Sequence, residues 1–483
     1  ATIDAKAAKD GTLGILQNPS TESGEYTLSF DGQAYIHSLS IVNLKDSPYT
    51  QNGNWYTVKA GDAQSFITTL ETVNGANAAT DAPRSYIFLP DGTYDLDEAC
   101  LTTISGNNIS IIGENMDKTI IVNKPETEGI ANTATLFNTS CNLYMQDLTL
   151  KNAYPYDAGQ TGRAICLQDK GTRTICKNVR MLSYQDTYYS NNNSGQYYFE
   201  NAEIHGIVDF ICGGGDAFFN KCNLVLEAGK AAYITAPYTN GSNYGYVFDG
   251  CKVIGTPNSS FTFGRSWNGT AKCAFLNTIL DKTAAAKIAS TRWTPACMNV
   301  IAKNLYEYNT TDEDGKVISP AENKVKFTLN TEVNEYNTIL TSAQAAEYTL
   351  DKVFTDWTPA ALASQKDPIA AKVANGKLTW TGNANMYMVE KNGEFAALTT
   401  ETEYTIDDAS AKYEVRAANE MGGFGLSEST ATGIDKVISS GDAAKTVIYS
   451  VDGMQLSHLQ KGINILVKSF ADGSKKTSKV IVR

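Results

Sequence analysis

The sequence predicts an all-β protein built on a right-handed parallel β-helix, with a small β-sandwich module towards the C-terminus. Three observations support this prediction. A six-residue phrase of alternating character recurs between residues 140 and 305. Glycine, asparagine and aspartate, which are common turn residues, punctuate the intervals between its copies. Beyond residue 359 the pattern changes to strictly alternating runs separated by short turns, which is typical of antiparallel strands.

The repeated phrase starts with an apolar residue, usually has Asn, Asp or a small residue in third place, and ends with an aliphatic residue. Its six copies start at Met145, Cys176, Phe199, Phe219, Phe248 and Phe275, which are 31, 23, 20, 29 and 27 residues apart. Repeats of about 20 to 50 residues are typical of solenoids, and each phrase is too short for a helix. Because Val179, Ala202, Cys222 and Cys251 hold the same slot, we expect a column of small side chains inside the β-helix.

Changes in pattern along the chain predict four segments. Residues 1–54 contain too few alternating runs to bury a core alone and are expected to be an N-terminal β accessory segment. Residues 55–360 form the predicted β-helix, and a capping box at Thr341 predicts a helix through Leu350 near its end. Residues 365–433 resemble a fibronectin type III module. Residues 434–483 resemble the C-terminal secretion or sorting modules of enzymes from Bacteroidetes.

Composition and charge narrow the class of partner. The formal net charge of -12 disfavours nucleic acids and anionic membranes, which are bound mainly through Lys and Arg. No apolar run approaches the ~18 residues that a membrane-spanning helix requires. The chain opens on a polar stretch without a signal peptide, so we expect a mature or trimmed form of a protein that is secreted, periplasmic or on the cell surface. We expect a monomer.

The residue types available for chemistry point to carboxylates. The chain has only three histidines, and neither an HExxH nor a GxSxG motif occurs. Its nine cysteines are odd in number and form no CxxC pair, which argues against a zinc site and against a disulfide-built scaffold. Neither a metal ion nor a cofactor is expected. Aspartate and glutamate are therefore the candidates for acid, base or nucleophile.

Two aspartates hold the same phase in successive coils of the predicted β-helix. Asp186 and Asp209 each follow the start of their phrase by ten residues. Stacked strands lie about 4.8 Å apart, so carboxylates on one face would lie at roughly that separation. Like charges at this range raise one pKa, and an arginine beside the other carboxyl lowers its pKa, which supplies one acid and one nucleophile. The alternative is that both aspartates only stabilise turns.

Three motifs make the sequence recognisable. They are Tyr184-Gln-Asp-Thr-Tyr-Tyr, Gly206-Ile-Val-Asp-Phe-Ile-Cys-Gly and Gly264-Arg-Ser-Trp, in that order. With them, the chain resembles the pectin methylesterase (pectinesterase) family over about residues 55 to 360. The resemblance implies a carboxylic ester hydrolase that removes methyl esters from galacturonate units of pectin and releases methanol. It also implies a covalent mechanism that uses two aspartates.

The same resemblance implies roles for individual residues. Asp209 would be the nucleophile that attacks the ester carbonyl, and Asp186 would protonate the departing methanol and then act as a base towards water. Arg265 would keep Asp209 ionised and oriented. Gln185 would donate hydrogen bonds to the oxyanion.

Other positions match the substrate-binding groove of that family or depart from it. Tyr189, Trp267 and Trp293 match positions that line the groove and stack on sugar rings, with core packing as the alternative for Trp293. Arg163 stands where the family has a second glutamine. It could donate to the oxyanion, bind a galacturonate carboxylate or mark a different ester substrate. Cys212 is a further departure, at a place where an aromatic residue is common.

Two alternatives keep the fold and change the function. A β-helical polygalacturonate hydrolase also uses paired aspartates, but the contexts of the first two motifs argue against it. A pectate lyase would need calcium held by several acidic residues, and none cluster around Asp209 in the sequence. A third alternative is an inactive pectin-binding solenoid, which the intact candidate residues make less plausible. The expected partner is pectin, that is, methylesterified homogalacturonan or a related pectic polysaccharide.

Overall fold

A computed structural model describes residues 47–156, 162–228, 232–257, 259–267, 271–294, 296–297, 300–301, 304–329, 332–428, 443–450, 455–456, 460–470 and 475–482. The chain divides into two compact units, Ala1–Ala361 and Leu362–Arg483. Most of the predicted accessory segment, residues 1–46, lies outside the described residues. The assignments of residues 365–433 and 434–483 to particular module types stay predictions. Among the described residues, no helix is long and apolar enough to cross a membrane.

Three ladders of parallel strands form the first unit, and together they make a parallel β-helix. The first ladder contains Trp55–Val58, Ser85–Leu89, Ile109–Gly113, Tyr144–Asn152, Thr174–Leu182, Gln196–Glu200, Asp216–Asn220, Tyr246–Asp249, Lys272–Leu276 and Asn304–Tyr308. The second contains Gly92–Asp95, Thr119–Asn123, the C-terminal ends of the long strands Tyr144–Asn152 and Thr174–Leu182, Glu203–Gly206, Asn223–Leu226, Lys252–Ile254, Ile279–Leu280 and Thr311–Asp312. The third contains Thr102–Ile104, Leu136–Asn138, Leu167–Asp169, Tyr188–Ser190, Val208–Gly213, Ala232–Pro237, Phe261–Arg265 and Trp293–Thr294. The predicted right-handed parallel β-helix is confirmed, with the handedness that crossovers between parallel strands strongly prefer.

The repeated phrase of the sequence spans the corner between the first and second ladders. Its third residue lies at the corner and has a positive φ of 50° to 62° in every copy: Asp147, Asn178, Asn201, Lys221, Gly250 and Asn277. Asn, Asp and Gly adopt this left-handed conformation more readily than other residues, which explains their preference for the third place. Adjacent corners are also bonded, since Asn178 Nδ2 donates to Asp147 Oδ1 at 2.9 Å.

The interior of the β-helix is built from columns of like side chains. Phe199, Phe219, Phe248 and Phe275 stack in succession, with ring centroids 4.7, 4.3 and 4.2 Å apart. The predicted column of small residues is also present, because Val179, Ala202, Cys222 and Cys251 are fully buried. Both cysteines are free thiols. They therefore act as small packing residues, as expected.

A helix that the sequence analysis did not predict covers the first coil. It spans Ala63–Ala76 and begins after Asp62, whose carboxylate accepts a hydrogen bond from the backbone N–H of Ser65 at 2.9 Å. Phe66, Leu70 and Val73 are buried on its inner face, against the first strands of the β-helix. The helix closes the otherwise open end of the core. Its threonines and valine favour strands, which weakened the helical signal.

At the other end, the predicted capping box is present but the helix is shorter than expected. The side chains and backbone N–H groups of Thr341 and Gln344 bond reciprocally, and the helix covers only Ser342–Ala345. The prediction of one helix through Leu350 is therefore wrong. Thr349 is extended, with φ −73° and ψ 155°, and a second short helix, Leu350–Val353, begins after it.

The remaining elements of this region are short. They are the strand Tyr49–Asn52, the helices Ala153–Tyr156, Lys282–Lys287 and Pro359–Leu362, the paired strands Ala296–Cys297 and Val300–Ile301, and the hairpin strands Lys324–Leu329 and Glu332–Asn337.

The second unit is antiparallel throughout its described strands. Two three-stranded sheets share one core to which Leu378, Trp380, Val389 and Val415 contribute. Their strands are Lys372–Ala374, Lys377–Thr379 and Glu403–Thr405 in one sheet, and Tyr387–Lys391, Glu394–Thr399 and Tyr413–Ala417 in the other. A four-stranded sheet follows, made of Ala443–Ser450, Gln455–Leu456, Gly462–Phe470 and Lys475–Val482.

Candidate active site

The two predicted aspartates lie side by side at the edge of the third ladder. Gln185 and Val208, the residues that precede them, form a parallel bridge, and the backbone N–H of Asp186 donates to the carbonyl of Val208 at 3.3 Å. The phase match read from the sequence is thus present in the fold. Both aspartates have positive φ, 59° for Asp186 and 50° for Asp209. Asp186 lies in a bend just before the strand Tyr188–Ser190, whereas Asp209 lies within the strand Val208–Gly213, so the alternative that both only stabilise turns does not fit Asp209. The two side chains are 4% and 5% exposed, which is unusual for aspartates that only stabilise a turn.

Arg265 holds Asp209 in a bidentate ion pair. Its Nε donates to Oδ1 at 2.8 Å and its Nη2 to Oδ2 at 2.6 Å. The guanidinium carbon lies 4.2 Å from the centre of the Tyr233 ring, which supports the plane of the fork from one side. Two parallel charge-assisted bonds fix both the charge and the orientation of this carboxylate.

The surroundings of the two aspartates favour different protonation states. Burial, and after it the negative charge of Asp209, raise the pKa of Asp186 to about 8, although Arg163, the Cys212 thiol and Arg265 oppose the shift. Burial also raises the pKa of Asp209, but the hydrogen bonds and charge of Arg265 oppose this shift. At neutral pH the proton of the pair therefore belongs on Asp186, and Asp209 is the carboxylate.

Gln185 lies beside this pair with its amide available. Its side chain is half-buried, and no hydrogen-bond partner for the amide is found among the described residues. The backbone carbonyl of Gln185 accepts from the N–H of Ala164 at 3.1 Å, which ties it to the preceding coil. A neutral donor held beside Asp186 suits an oxyanion formed at Asp209.

Arg163 forms a parallel bridge with Gln185, and its side chain is occupied by a partner that the sequence analysis missed. Arg163 Nε donates to Glu128 Oε2 and Nη2 donates to Oε1, both at 2.6 Å. The pair lies at the surface, with the two side chains 45% and 40% exposed. Arg163 still lies close enough to Asp186 for its charge to lower the pKa of that carboxyl.

A cavity of about 200 Å³ lies at the C-terminal ends of the third-ladder strands that follow the two aspartates in sequence. Tyr189 and Trp267, two predicted groove residues, line it, with ring centroids 5.7 Å apart. Tyr238 lies on the other side of Trp267 at 5.9 Å. None of the described lining residues is charged; the others are Ser190, Asn191, Asn192, Asn193, Gly213 and Gly214.

The sequence analysis did not single out Tyr238 or the three asparagines. Their signal was local: the asparagine run directly follows the strand Tyr188–Ser190, and Tyr238 directly follows the strand Ala232–Pro237. Both positions are the C-terminal ends of neighbouring strands of one ladder. Side chains at such ends converge on the same edge of the sheet.

The expectation that Trp293 lines the groove is wrong. Its side chain is 1% exposed and packs in the core, with its ring 5.7 Å from Phe263 and 5.9 Å from Phe275. In the strand register, Thr294 pairs with Arg265, so Thr294 shares the phase of Arg265 and Trp293 takes the opposite phase. The core-packing alternative is therefore correct for this residue.

Comparisons with known proteins identify the family of the chain. A family model described as Pectinesterase matches residues 56–356, which span the β-helix and the site. Pectinesterase A of Dickeya dadantii is 26% identical over 395 residues, covering 70% of this chain and 98% of that protein. Pectinesterase A of Emericella nidulans is 28% identical over 231 residues, covering 44% of this chain and 68% of that protein. The solved structure of pectin methylesterase PemA from Erwinia chrysanthemi is 26% identical with a TM-score of 0.47, covering 59% of this chain and 92% of that one. The chain belongs to the pectinesterase family and is a carboxylic ester hydrolase.

Proposed function

We propose that this protein removes methyl esters from the galacturonate units of pectin and releases methanol through a covalent intermediate on Asp209. The observation that carries the proposal is the buried pair of Asp186 and Asp209, in which only Asp209 is held by an arginine fork. The names of the relatives support the choice of substrate. Because pectin is an extracellular polymer, the proposal places the protein in a secreted, periplasmic or cell-surface location.

In the first half of the reaction, the Asp209 carboxylate attacks the carbonyl carbon of the methyl ester. The carbonyl oxygen becomes an oxyanion, which accepts hydrogen bonds from the side-chain amide of Gln185. As the intermediate collapses, the bond between carbon and the methoxy oxygen breaks, and Asp186 transfers its proton to that oxygen. The products are methanol and a mixed anhydride between galacturonate and Asp209.

In the second half, the roles of the aspartates change. Asp186, now a carboxylate, takes a proton from water while the water oxygen attacks the galacturonate carbonyl of the anhydride. The bond to the Asp209 oxygen breaks, which restores its carboxylate in the fork of Arg265 and returns Asp186 to its protonated state. Arg265 stabilises this leaving carboxylate with the same two hydrogen bonds that hold it at rest.

The cavity at the C-terminal ends of the third-ladder strands suits a sugar chain. Tyr189, Trp267 and Tyr238 supply aromatic faces on which sugar rings stack, and the asparagines supply amides for hydroxyl groups. The absence of charge among its described lining residues favours a neutral, esterified sugar over an acidic one.

The test is methanol release from highly methylated pectin, with and without EDTA, by the parent protein and by Asp209→Ala. We expect methanol that persists in EDTA and disappears in the variant, with no new reducing ends. A conservative Asp209→Asn variant keeps the shape of the side chain, so loss of methanol release in this variant as well would not be explained by misfolding. Chain cleavage without methanol would instead indicate a hydrolase or lyase, and no methanol from any pectin would reject the proposed function.

A further inference from the structure

The Glu128 carboxylate occupies the Nε and Nη2 edge of the Arg163 guanidinium, an edge with which arginine commonly binds carboxylates. The two N–H groups on that edge donate to the two oxygens of Glu128, both at 2.6 Å, in parallel. The backbone N–H of Arg163 donates to Oε2 as well, at 3.3 Å, and the N–H of Gly129 donates to the carbonyl of Arg163 at 2.8 Å. Arginine binds a free uronate carboxylate with this same bidentate geometry. A carboxylate from outside must therefore displace Glu128 or bind the Nη1 and Nη2 edge of a guanidinium whose charge Glu128 already neutralises.

The pair lies one coil before the proposed acid and oxyanion donor of the reaction. Arg163 forms a bridge to Gln185, the proposed oxyanion donor, and the charge of Arg163 is felt by Asp186. The ester that binds at Asp209 is neutral, whereas the acid that leaves is negative. An unpaired arginine here would attract the product more than the substrate. The paired arginine brings no net charge, and Glu128 adds a repulsive neighbour.

We propose that Glu128 is a specificity-determining residue: by occupying Arg163 it keeps the site selective for the neutral methyl ester and promotes release of the free acid. The inference rests on the proposed function for its substrate. Both side chains are well exposed, so the pair contributes little to fold stability and can be opened without disturbing the β-helix.

The experiment compares Glu128→Gln with a matched control, Glu313→Gln. Glu313 also accepts from a cationic side chain, Lys252 Nζ at 2.7 Å, and from a backbone N–H, that of Lys282 at 3.2 Å. Its pair has similar exposure, 39% and 44%, but follows the second ladder instead of the third. Calorimetric binding of an unesterified oligogalacturonate is measured for both variants and the parent, at low and at high salt.

We expect Glu128→Gln to bind the unesterified oligomer about tenfold more tightly than the parent at low salt, the scale of one bidentate charge-assisted contact. The gain should shrink in about 0.5 M salt because the site is exposed. The double variant Arg163→Gln/Glu128→Gln should lose the gain, and Glu313→Gln should match the parent. During turnover, Glu128→Gln should show correspondingly stronger inhibition by the acid product.

An unchanged affinity in Glu128→Gln, or a gain that survives in the double variant, would overturn the inference. Binding is measured without turnover, so the result is independent of methanol release. A parent protein that releases no methanol, together with tighter binding by Glu128→Gln, would reject the proposed function and retain the role of Glu128 in excluding acidic sugars.

Discussion

Arg265 reaches Asp209 from two coils further along the β-helix and bonds both of its carboxylate oxygens, at 2.8 and 2.6 Å. The strand between them, Ala232–Pro237, supplies Tyr233, whose ring lies against the guanidinium. The Asp209 carboxylate is thus oriented by three consecutive strands of one ladder. The stacking of these strands sets the positions of Asp209 and Arg265, and no flexible loop is needed to place the arginine.

Arg265→Lys should lower kcat by about 10²-fold or more, because a lysine keeps the charge but cannot form the bidentate fork. KM should change much less, since the fork acts on the nucleophile and not on the sugar. Steady-state kinetics on methylated pectin measure both constants. Arg180→Lys, which alters an arginine bonded to Glu203 on the second ladder, is the control. Equal losses in the two variants would contradict the orienting role.

Activity should fall as the pH rises through about 8, because Asp186 must carry a proton to release methanol and its pKa lies near that value. The pH profile of kcat/KM measures this limb in the free enzyme. In Cys212→Ala, which removes a thiol donor to the Asp186 carboxylate, the limb should move to higher pH. A profile that stays flat well beyond pH 8 would assign the acid to another group.

Asp186→Asn should abolish turnover yet make the protein more stable at neutral pH. The folded pKa of Asp186 is raised above its unfolded value of about 3.9, so ionisation costs stability as the pH rises from that value to about 8. A neutral amide avoids the cost. We expect a melting temperature higher by about 2–4 °C at pH 7.5, with the difference from the parent vanishing near pH 3.5. A lower melting temperature at pH 7.5 would contradict this account.

Two tryptophans should respond differently to truncation. Trp267→Ala should raise KM for pectin with little effect on stability, because its ring lines the cavity. Trp293→Ala should cost about 3–5 kcal/mol of unfolding free energy, since it leaves a hole in the core. Chemical denaturation and initial-rate kinetics separate the two effects. A raised KM in a stably folded Trp293→Phe variant would indicate that Trp293 does line the groove.

His205 should stabilise the fold at acidic pH only. Burial lowers its pKa, but hydrogen bonds to Glu203 at 2.9 Å and Glu227 at 2.7 Å outweigh burial and leave the pKa raised above the ordinary value. Its stabilising effect is therefore full below about pH 6.5 and is lost as the pH rises through the folded pKa. His205→Gln should be less stable than the parent by about 1–2 kcal/mol at pH 5.5. A stability difference that persists unchanged at pH 9 would contradict the linkage.

The repeated phrase and the paired aspartates could be found in the sequence because a β-helix maps sequence spacing directly onto stacking. Each phrase turns the same corner, and the left-handed conformation required at Asn178 and Asn201 restricts its third residue. The same regularity placed Asp186 beside Asp209 from their shared phase. Strongly local rules thus determined the fold class and the two central residues.

Other features depended on contacts that the phrase does not encode. The Ala63–Ala76 helix is stabilised because its inner face is buried against the first coil, and this burial outweighs the strand preference of its threonines and valine. Trp267 and Trp293 are both plausible groove residues by type. The strand register turns Trp293 into the core, whereas Trp267 follows the end of the strand Phe261–Arg265 and lines the cavity.

The sequence by itself determined the β-helix and the shared phase of Asp186 and Asp209, because these follow from local conformation and short repeats. Its motifs carry the family resemblance, which implies the roles of Arg265 and Gln185. Only the tertiary structure gives the physical reason why the acid is Asp186: burial and the neighbouring charge of Asp209 raise the pKa of Asp186. It also decided that Glu128 occupies Arg163 from 35 residues away. Burial, charge and side-chain partnership depend on which coils come together, and spacing along the chain does not specify them.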